Sequence, residues 1–199
     1  MAETNRSIEF FDTQFRKQVE SGEYALNPFE QAALPFLAGR VLDLGCGLGN
    51  LSLEAARRGC EVMAMDASPA AIERIAAAAA KEKLHLAALR ADLGSYAAAG
   101  EYDTVIAIGL VVFFACPVAQ RLLAEIRRSV APGGRAIVNT LIAGTTWMDP
   151  FAPGHFCLLD EGALERGFAG WQILLAQRDE FPAPGGTVKR FDTVVARRP

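Results

Sequence analysis

Hydrophobic and polar positions alternate in two rhythms from about Arg40 onward: short, almost wholly apolar runs, and Ala-rich runs with helical spacing of their apolar residues. The short runs, Arg40 to Leu44, Glu61 to Met65, His85 to Ala91, Tyr102 to Ile108 and Gly134 to Thr140, read as strands. Near-continuous apolarity is what a sheet covered on both faces requires. Helices are expected over Asn50 to Arg58, Pro69 to Glu82 and Pro117 to Val130, the second opening on Ser68 as N-cap with Pro69 at the first helical position. Ala131-Pro132-Gly133-Gly134 ends the third and turns the chain into the next strand. Strand alternating with helix in this way is the signature of a doubly wound, mostly parallel α/β sheet.

The alternation breaks after Leu141. A loop from Ile142 to Gly154 leads to a helix near Glu161 to Phe168 and two β-rich runs, Trp171 to Phe181 and Thr187 to Ala196. The five residues Pro182 to Gly186 between them are too few for a parallel crossover, so an antiparallel hairpin is expected at the sheet edge. Before the first strand, Phe10, Phe11, Phe15, Tyr24 and Phe29 recur at helical intervals and predict a helical cap over residues 1–39. Their aromatic rings either cover the sheet or form a lid over the strand ends, where open α/β sheets bind ligands.

Composition narrows the function. The chain of 199 residues is 51% hydrophobic and 22% charged, as in an ordinary globular domain, and no composition shift marks a second one. A net charge of -3 argues against nucleic acid as a partner, because affinity for phosphates needs a basic face. Val105 to Ala119, the longest apolar run, contains Gly109 and Pro117 and is too short for a membrane span, so no membrane partner is expected. The opening residues, Met1 to Arg6, have neither the basic flank nor the apolar stretch of a secretory leader, which predicts a cytoplasmic location. Cys46, Cys60, Cys116 and Cys157 form no Cys-x-x-Cys pair and have only His85 and His155 for company. They predict buried free thiols and no metal site.

The chemistry concentrates in Val41-Leu42-Asp43-Leu44-Gly45-Cys46-Gly47-Leu48-Gly49-Asn50, a strand running into a glycine-rich turn and then a helix. Glycines at 45 and 47 allow a ligand to approach the backbone, and Asp66, about 20 residues on, is spaced to accept from ribose hydroxyls. A nicotinamide dinucleotide fingerprint would have glycine where Asn50 stands. Asp43 also places a carboxylate beside the turn, which suits a cation better than a pyrophosphate.

Asp43-x-Gly45-x-Gly47-x-Gly49 after a strand, with Asp66 after the next, resembles motif I and its acidic partner in class I S-adenosylmethionine-dependent methyltransferases. Asp92-Leu93 after the third strand, Tyr102-Asp103 opening the fourth, and Pro132-Gly133-Gly134 before the fifth follow in the family's order. The resemblance implies a Rossmann-like seven-stranded sheet of order 3-2-1-4-5-7-6 and S-adenosylmethionine as cofactor, leaving S-adenosylhomocysteine. It implies that Asp43, Gly45, Cys46 and Gly47 hold the methionyl part, Asp66 and Ala67 the ribose, Asp92 and Leu93 the adenine, and that Ile108 faces the methionyl group. One domain is then divided into the cap (1–39), a cofactor-binding core (40–141) and an acceptor-side segment (142–199).

The second half is similar to the tellurite-resistance methyltransferases in Leu110 to Phe114, in Phe156 with Asp160-Glu161-Gly162-Ala163-Leu164, and in Gly170-Trp171. That group carries a His-Arg pair where this chain reads Asp179-Glu180-Phe181-Pro182, leaving Lys189 and Arg190 as substitutes for an oxyanion's partners. The expected activity is methyl transfer to a small-molecule acceptor by direct displacement, which proximity and exclusion of water can drive. A non-catalytic binder of S-adenosylmethionine or S-adenosylhomocysteine is the alternative, and a homodimer stays open. His155 is the candidate catalytic residue, as base or orienter, with Asp149 beside it. Trp147, Phe151 and Phe156 form either an acceptor wall or core cover.

Overall fold

The computed structural model describes residues 6–199; Met1–Asn5, read above for the absence of a leader, lie outside the described residues. Two helices, α1 (Arg6–Ser21) and α2 (Pro28–Ala33), precede the sheet. Asn27 caps α2 in a capping box, its side chain accepting from the Phe29 and Glu30 N–H groups while the Glu30 carboxylate accepts from the Asn27 N–H. The core then runs β1 (Arg40–Leu44), α3 (Asn50–Arg57), β2 (Glu61–Asp66), α4 (Pro69–Glu82), β3 (Leu86–Arg90), β4 (Tyr102–Ile108), α5 (Cys116–Ser129) and β5 (Val130–Leu141). A short helix α6 (Ala163–Gly167) and a hairpin, β6 (Gln172–Ala183) and β7 (Thr187–Arg197), complete it. Ser68 caps α4 as expected, accepting from the Ala71 N–H, with Pro69 at the first helical position.

The seven strands lie in the order β3-β2-β1-β4-β5-β7-β6, and the expected fold and hairpin are borne out. β1 to β5 pair parallel, while β7 runs antiparallel to both β5 and β6. Side-chain alternation divides the core in two. Leu42, Val105 and Ala107 face α5 and α6 through Leu122, Ile126, Leu164 and Phe168. Val41, Ile106, Ile137 and Val195 face α2 and α3 through Ala33, Leu51 and Ala55. Each buried Leu, Ile, Val or Phe among them contributes about 1.5–3 kcal/mol, which is why central strands with no polar face form here.

Two expectations are corrected. β5 starts at Val130, directly after α5, instead of Gly134: Val130 pairs with Tyr102, and Pro132-Gly133 is absorbed as a register shift opposite Tyr102 and Thr104. The reading of four free thiols fails because Cys116 and Cys157 form a disulfide. The long loop after β5 returns beside β4's exit, held by an Ile142–Leu159 bridge and by the Cys157 N–H donating to the Val112 carbonyl, and this delivers Cys157 to the first residue of α5. Disulfides belong to oxidising settings, so the cysteines lend no support to a cytoplasmic location. No helix among the described residues is long and apolar enough to cross a membrane.

Candidate functional site

A cavity of about 700 Å³ opens at the carboxyl ends of β1, β2 and β4, between the sheet and the α1–α2 segment. The loop after β1 forms its floor. Gly45, Gly47 and Gly49 all have left-handed backbones, with φ of 70°, 52° and 70°, and a Cβ on Gly49 would come within 2.5 Å of Ile75 on α4. Side chains are therefore excluded on both sides: the neighbours leave no room, and the conformation disfavours them. The Gly45 and Cys46 N–H groups donate to the Met65 carbonyl, and the Gly47 N–H donates to Asp66 Oδ2 at 2.9 Å, so the turn is locked to the end of β2.

The polar groups around this floor are mostly hydrogen-bond acceptors. Asp43 is buried, with the Ser52 hydroxyl donating to it at 2.6 Å, and burial, reinforced by Glu30 and Asp66, pushes its carboxyl up to about 7. Asp66 takes the Ser68 N–H on its other oxygen, and desolvation raises it too. Glu30, on α2 across the cavity, is raised by burial. Asn50 Oδ1, at the start of α3, is buried and has no hydrogen-bond partner. A buried carboxylate is stabilised by a cation or by donors. The set therefore suits a ligand with an ammonium or sulfonium charge and several O–H or N–H groups, and it repels phosphate.

All nine cofactor positions expected from the sequence line this one cavity: Asp43, Gly45, Cys46, Gly47, Asp66, Ala67, Asp92, Leu93 and Ile108. Burial pushes the Cys46 thiol well up and keeps it protonated. Asp92 caps the turn after β3, accepting from the Gly94 N–H. The structure does not bring His155 to the cavity: the turn at Pro153–Gly154 leaves it exposed on the outer loop, and Asp149 is exposed as well.

The aromatic residues divide by role. Phe10, Phe11, Phe15 and Phe29 line the cavity from the helical side, and Phe113, Trp147 and Phe191 from the sheet side. Phe151 stacks on Phe113 and Phe156 packs on Phe151, so those two support the wall from behind. Of the two basic residues considered for an anion, Arg190 is committed to Glu161 and Glu180, whereas Lys189 lies in the cavity lining with its ammonium over the Trp147 ring. Sequence reasoning missed Glu30 and Asn139. For Asn139 there was a signal, an amide inside the apolar run Ala136 to Leu141.

Residues 41–134 match the family described as a methyltransferase domain. That match covers just under half of the chain. Among curated relatives, Hemagglutinin 1 of Eikenella corrodens is 28% identical over 80% of this chain and 55% of its own length. The ubiquinone biosynthesis O-methyltransferase of Cereibacter sphaeroides is 35% identical over 61% of this chain and 53% of its own. The chain thus spans about half the length of these relatives. Among solved structures, TehB from Haemophilus influenzae superposes with a TM-score of 0.77 at 18% identity, covering 97% of this chain and 67% of that one. At that identity the likeness is one of fold, and it extends beyond the methyltransferase domain into the cap and the hairpin. The recognition of a class I methyltransferase from its ordered motifs is borne out.

Proposed function

We propose that the protein is an S-adenosylmethionine-dependent methyltransferase acting on a small-molecule acceptor. The observation that carries this reading is the acceptor-rich polar set, Asp43, Asp66 and Asn50 Oδ1, around a side-chain-free turn in a cavity of about 700 Å³. S-adenosylmethionine fits that set: its ammonium and sulfonium charges match the carboxylates, and its ribose hydroxyls and amine supply the donors. Asp43 would hold the methionyl ammonium beside Gly45, Cys46 and Gly47. Asp66 with Ala67 would take the ribose, Asp92 with Leu93 the adenine edge, and Ile108 would pack against the methionyl chain.

When bound, the cofactor would supply an electrophilic methyl group on a sulfonium, and a hydroxyl acceptor that took it would release its proton to water. The protein's share is alignment and dryness. Phe11, Phe15 and Phe29 roof the cavity, Phe113 and Trp147 wall it, and α1 is tied over it by Asp12, which accepts from the Ser68 hydroxyl at 2.6 Å. The Cereibacter relative is named as an O-methyltransferase, which favours oxygen as the accepting atom. We further propose that residues 1–39 act as the cap of a single domain.

Calorimetry with S-adenosylmethionine, S-adenosylhomocysteine and NADH, followed by transfer of a labelled methyl group to a panel of acceptors, tests the reading. Binding of the first two without NADH, and label in at least one small acceptor, is expected. Failure of S-adenosylhomocysteine to bind would overturn it, and binding without transfer to any acceptor would leave a non-catalytic binder.

A further inference from the structure

The cavity continues past the cofactor positions along one face of the β5–β7 pair, and its polarity there is graded. Asn139 and Thr193 are directly opposed, as are Leu141 and Phe191, so alternation puts Asn139, Leu141, Thr193, Phe191 and Lys189 on the same face. Asn139 lies at the inner end. It pairs with Ile108 in the β4–β5 ladder, and the Gly109 N–H donates to its carbonyl at 2.9 Å, which puts it beside the strand end expected to face the methionyl group. Its side chain is fully buried, Nδ2 donates to Thr193 Oγ1 at 2.9 Å, and Oδ1 is unpartnered.

A buried amide oxygen with no partner has lost its water without gaining a replacement. A ligand O–H or N–H at that point would relieve this. Two positions outward along β5 and β7, Leu141 and Phe191 give an apolar midsection, with Phe113 also in the lining. Two further along β7 is Lys189, in the lining and over Trp147 at 3.7 Å, with no carboxylate within 4 Å among the described residues. Its neighbour Arg190 points to the other face and is neutralised there by Glu161 and Glu180. From Thr193 to Lys189 the strand advances four residues, about 13 Å, a span filled by one aromatic ring with a short arm and a hydrogen bond at either end.

We propose that the acceptor is a hydroxylated arene carrying a carboxylate: its hydroxyl donates to Asn139 Oδ1, its ring lies over Leu141 and Phe191, and its carboxylate pairs with Lys189 at Trp147. This rests on the methyl-transfer reading and adds the substrate class. It also accounts for a lining in which Lys189 is the one cation among the described residues, since a single carboxylate on an apolar body needs only one, whereas a small inorganic oxyanion would be left against phenylalanine.

The test is binding of 3-(4-hydroxyphenyl)propanoate, its methyl ester and 3-phenylpropanoate to the intact chain, by calorimetry, with S-adenosylhomocysteine affinity measured in parallel. The wild type is expected to bind the hydroxy acid at least tenfold more tightly than either analogue. Lys189→Met should bring acid and ester within twofold of each other while the hydroxyl preference remains. Asn139→Ala should do the reverse, removing the preference for the hydroxyl and keeping that for the acid. Equal binding of acid and ester to the wild type, or undiminished discrimination in Lys189→Met, overturns the proposal whether or not Asn139→Ala folds. No binding of the hydroxy acid by protein that binds S-adenosylhomocysteine also overturns it and leaves the methyltransferase reading intact. Failure of S-adenosylhomocysteine alone would count against that reading and not against the acid–ester comparison.

Discussion

Asp43 is the residue on which the cofactor reading can be tested most sharply, because its burial sets a pH dependence of known sign. In the folded apoprotein it holds its proton up to about pH 7, against an ordinary value of 3.8, as a result of desolvation and of Glu30 and Asp66 nearby, partly opposed by the Ser52 hydroxyl. Between those values the folded state binds more protons than the unfolded, so this group's contribution to stability falls as pH rises from about 4 to 7 and is level above. A cationic ligand reverses the preference. It pairs only with the ionised form, so affinity for S-adenosylhomocysteine should rise about tenfold between pH 6 and pH 8, following the ionised fraction of a group titrating near 7. Asp43→Asn keeps an acceptor for Ser52 and should flatten that rise while lowering affinity at pH 8 tenfold or more. An unchanged pH profile by calorimetry would place the ammonium elsewhere. Asp43 itself was legible from its spacing to the glycines, but its company was not. Glu30 comes from the capping box of α2 and Asn50 Oδ1 from the first turn of α3, and what makes them notable is burial against β1, which local sequence does not encode.

At the scale of elements, the glycine turn shows where sequence speaks plainly and where it is silent. Gly45 and Gly47 were read as allowing a close approach to a ligand, but only part of that holds. A Cβ on Gly47 would meet the Phe15 ring, one on Gly45 the Leu110 side chain, and one on Gly49 the Ile75 side chain at 2.5 Å. Much of the crowding is thus the protein's own, with α4, α1 and Leu110 closing on the turn. Gly49→Ala should accordingly act on folding: left-handed strain and overpacking against Ile75 together cost about 3 kcal/mol. Urea unfolding is expected to show that loss in midpoint, with cofactor affinity of the folded fraction changed by less than threefold. A large affinity loss without a stability loss would mean that the ligand, and not α4, requires the glycine. Strands β1 and β4 matched their predicted limits because uniform apolarity ends where the chain leaves the sheet. β5 did not, because proline and glycine announce a turn yet here sit within a ladder that Val130 and Tyr102 had already begun.

At the scale of the whole molecule, the pairing of Cys116 with Cys157 joins parts that the sequence separates by 41 residues, and nothing local in either stretch announces it. The bond closes the segment running from α5 through β5 to the acceptor-side loop, so it restrains the unfolded chain over that entire length. Loop-closure entropy for such a separation is worth about 4 kcal/mol in the chain-entropy model, with measured values commonly 2–4. For a chain of this size each kcal/mol moves the midpoint by about 2–4 °C. Reduction, or the double change Cys116→Ser with Cys157→Ser, should therefore lower the melting temperature by about 5–15 °C, read by calorimetry with and without reductant. The functional consequence should be one-sided. Cys157 is hydrogen-bonded to Val112, and the adjoining Phe113 stacks on Phe151, so loosening the loop disturbs the wall opposite Phe11. Asp43 and Asp66 are held by Ser52, Gly47 and Ser68, none of them in the closed segment. Reduced protein below its melting temperature should thus keep its affinity for S-adenosylhomocysteine within about twofold and lose affinity for the aromatic acid. Equal loss of both would mean that the two halves of the cavity are coupled through the sheet rather than built independently upon it.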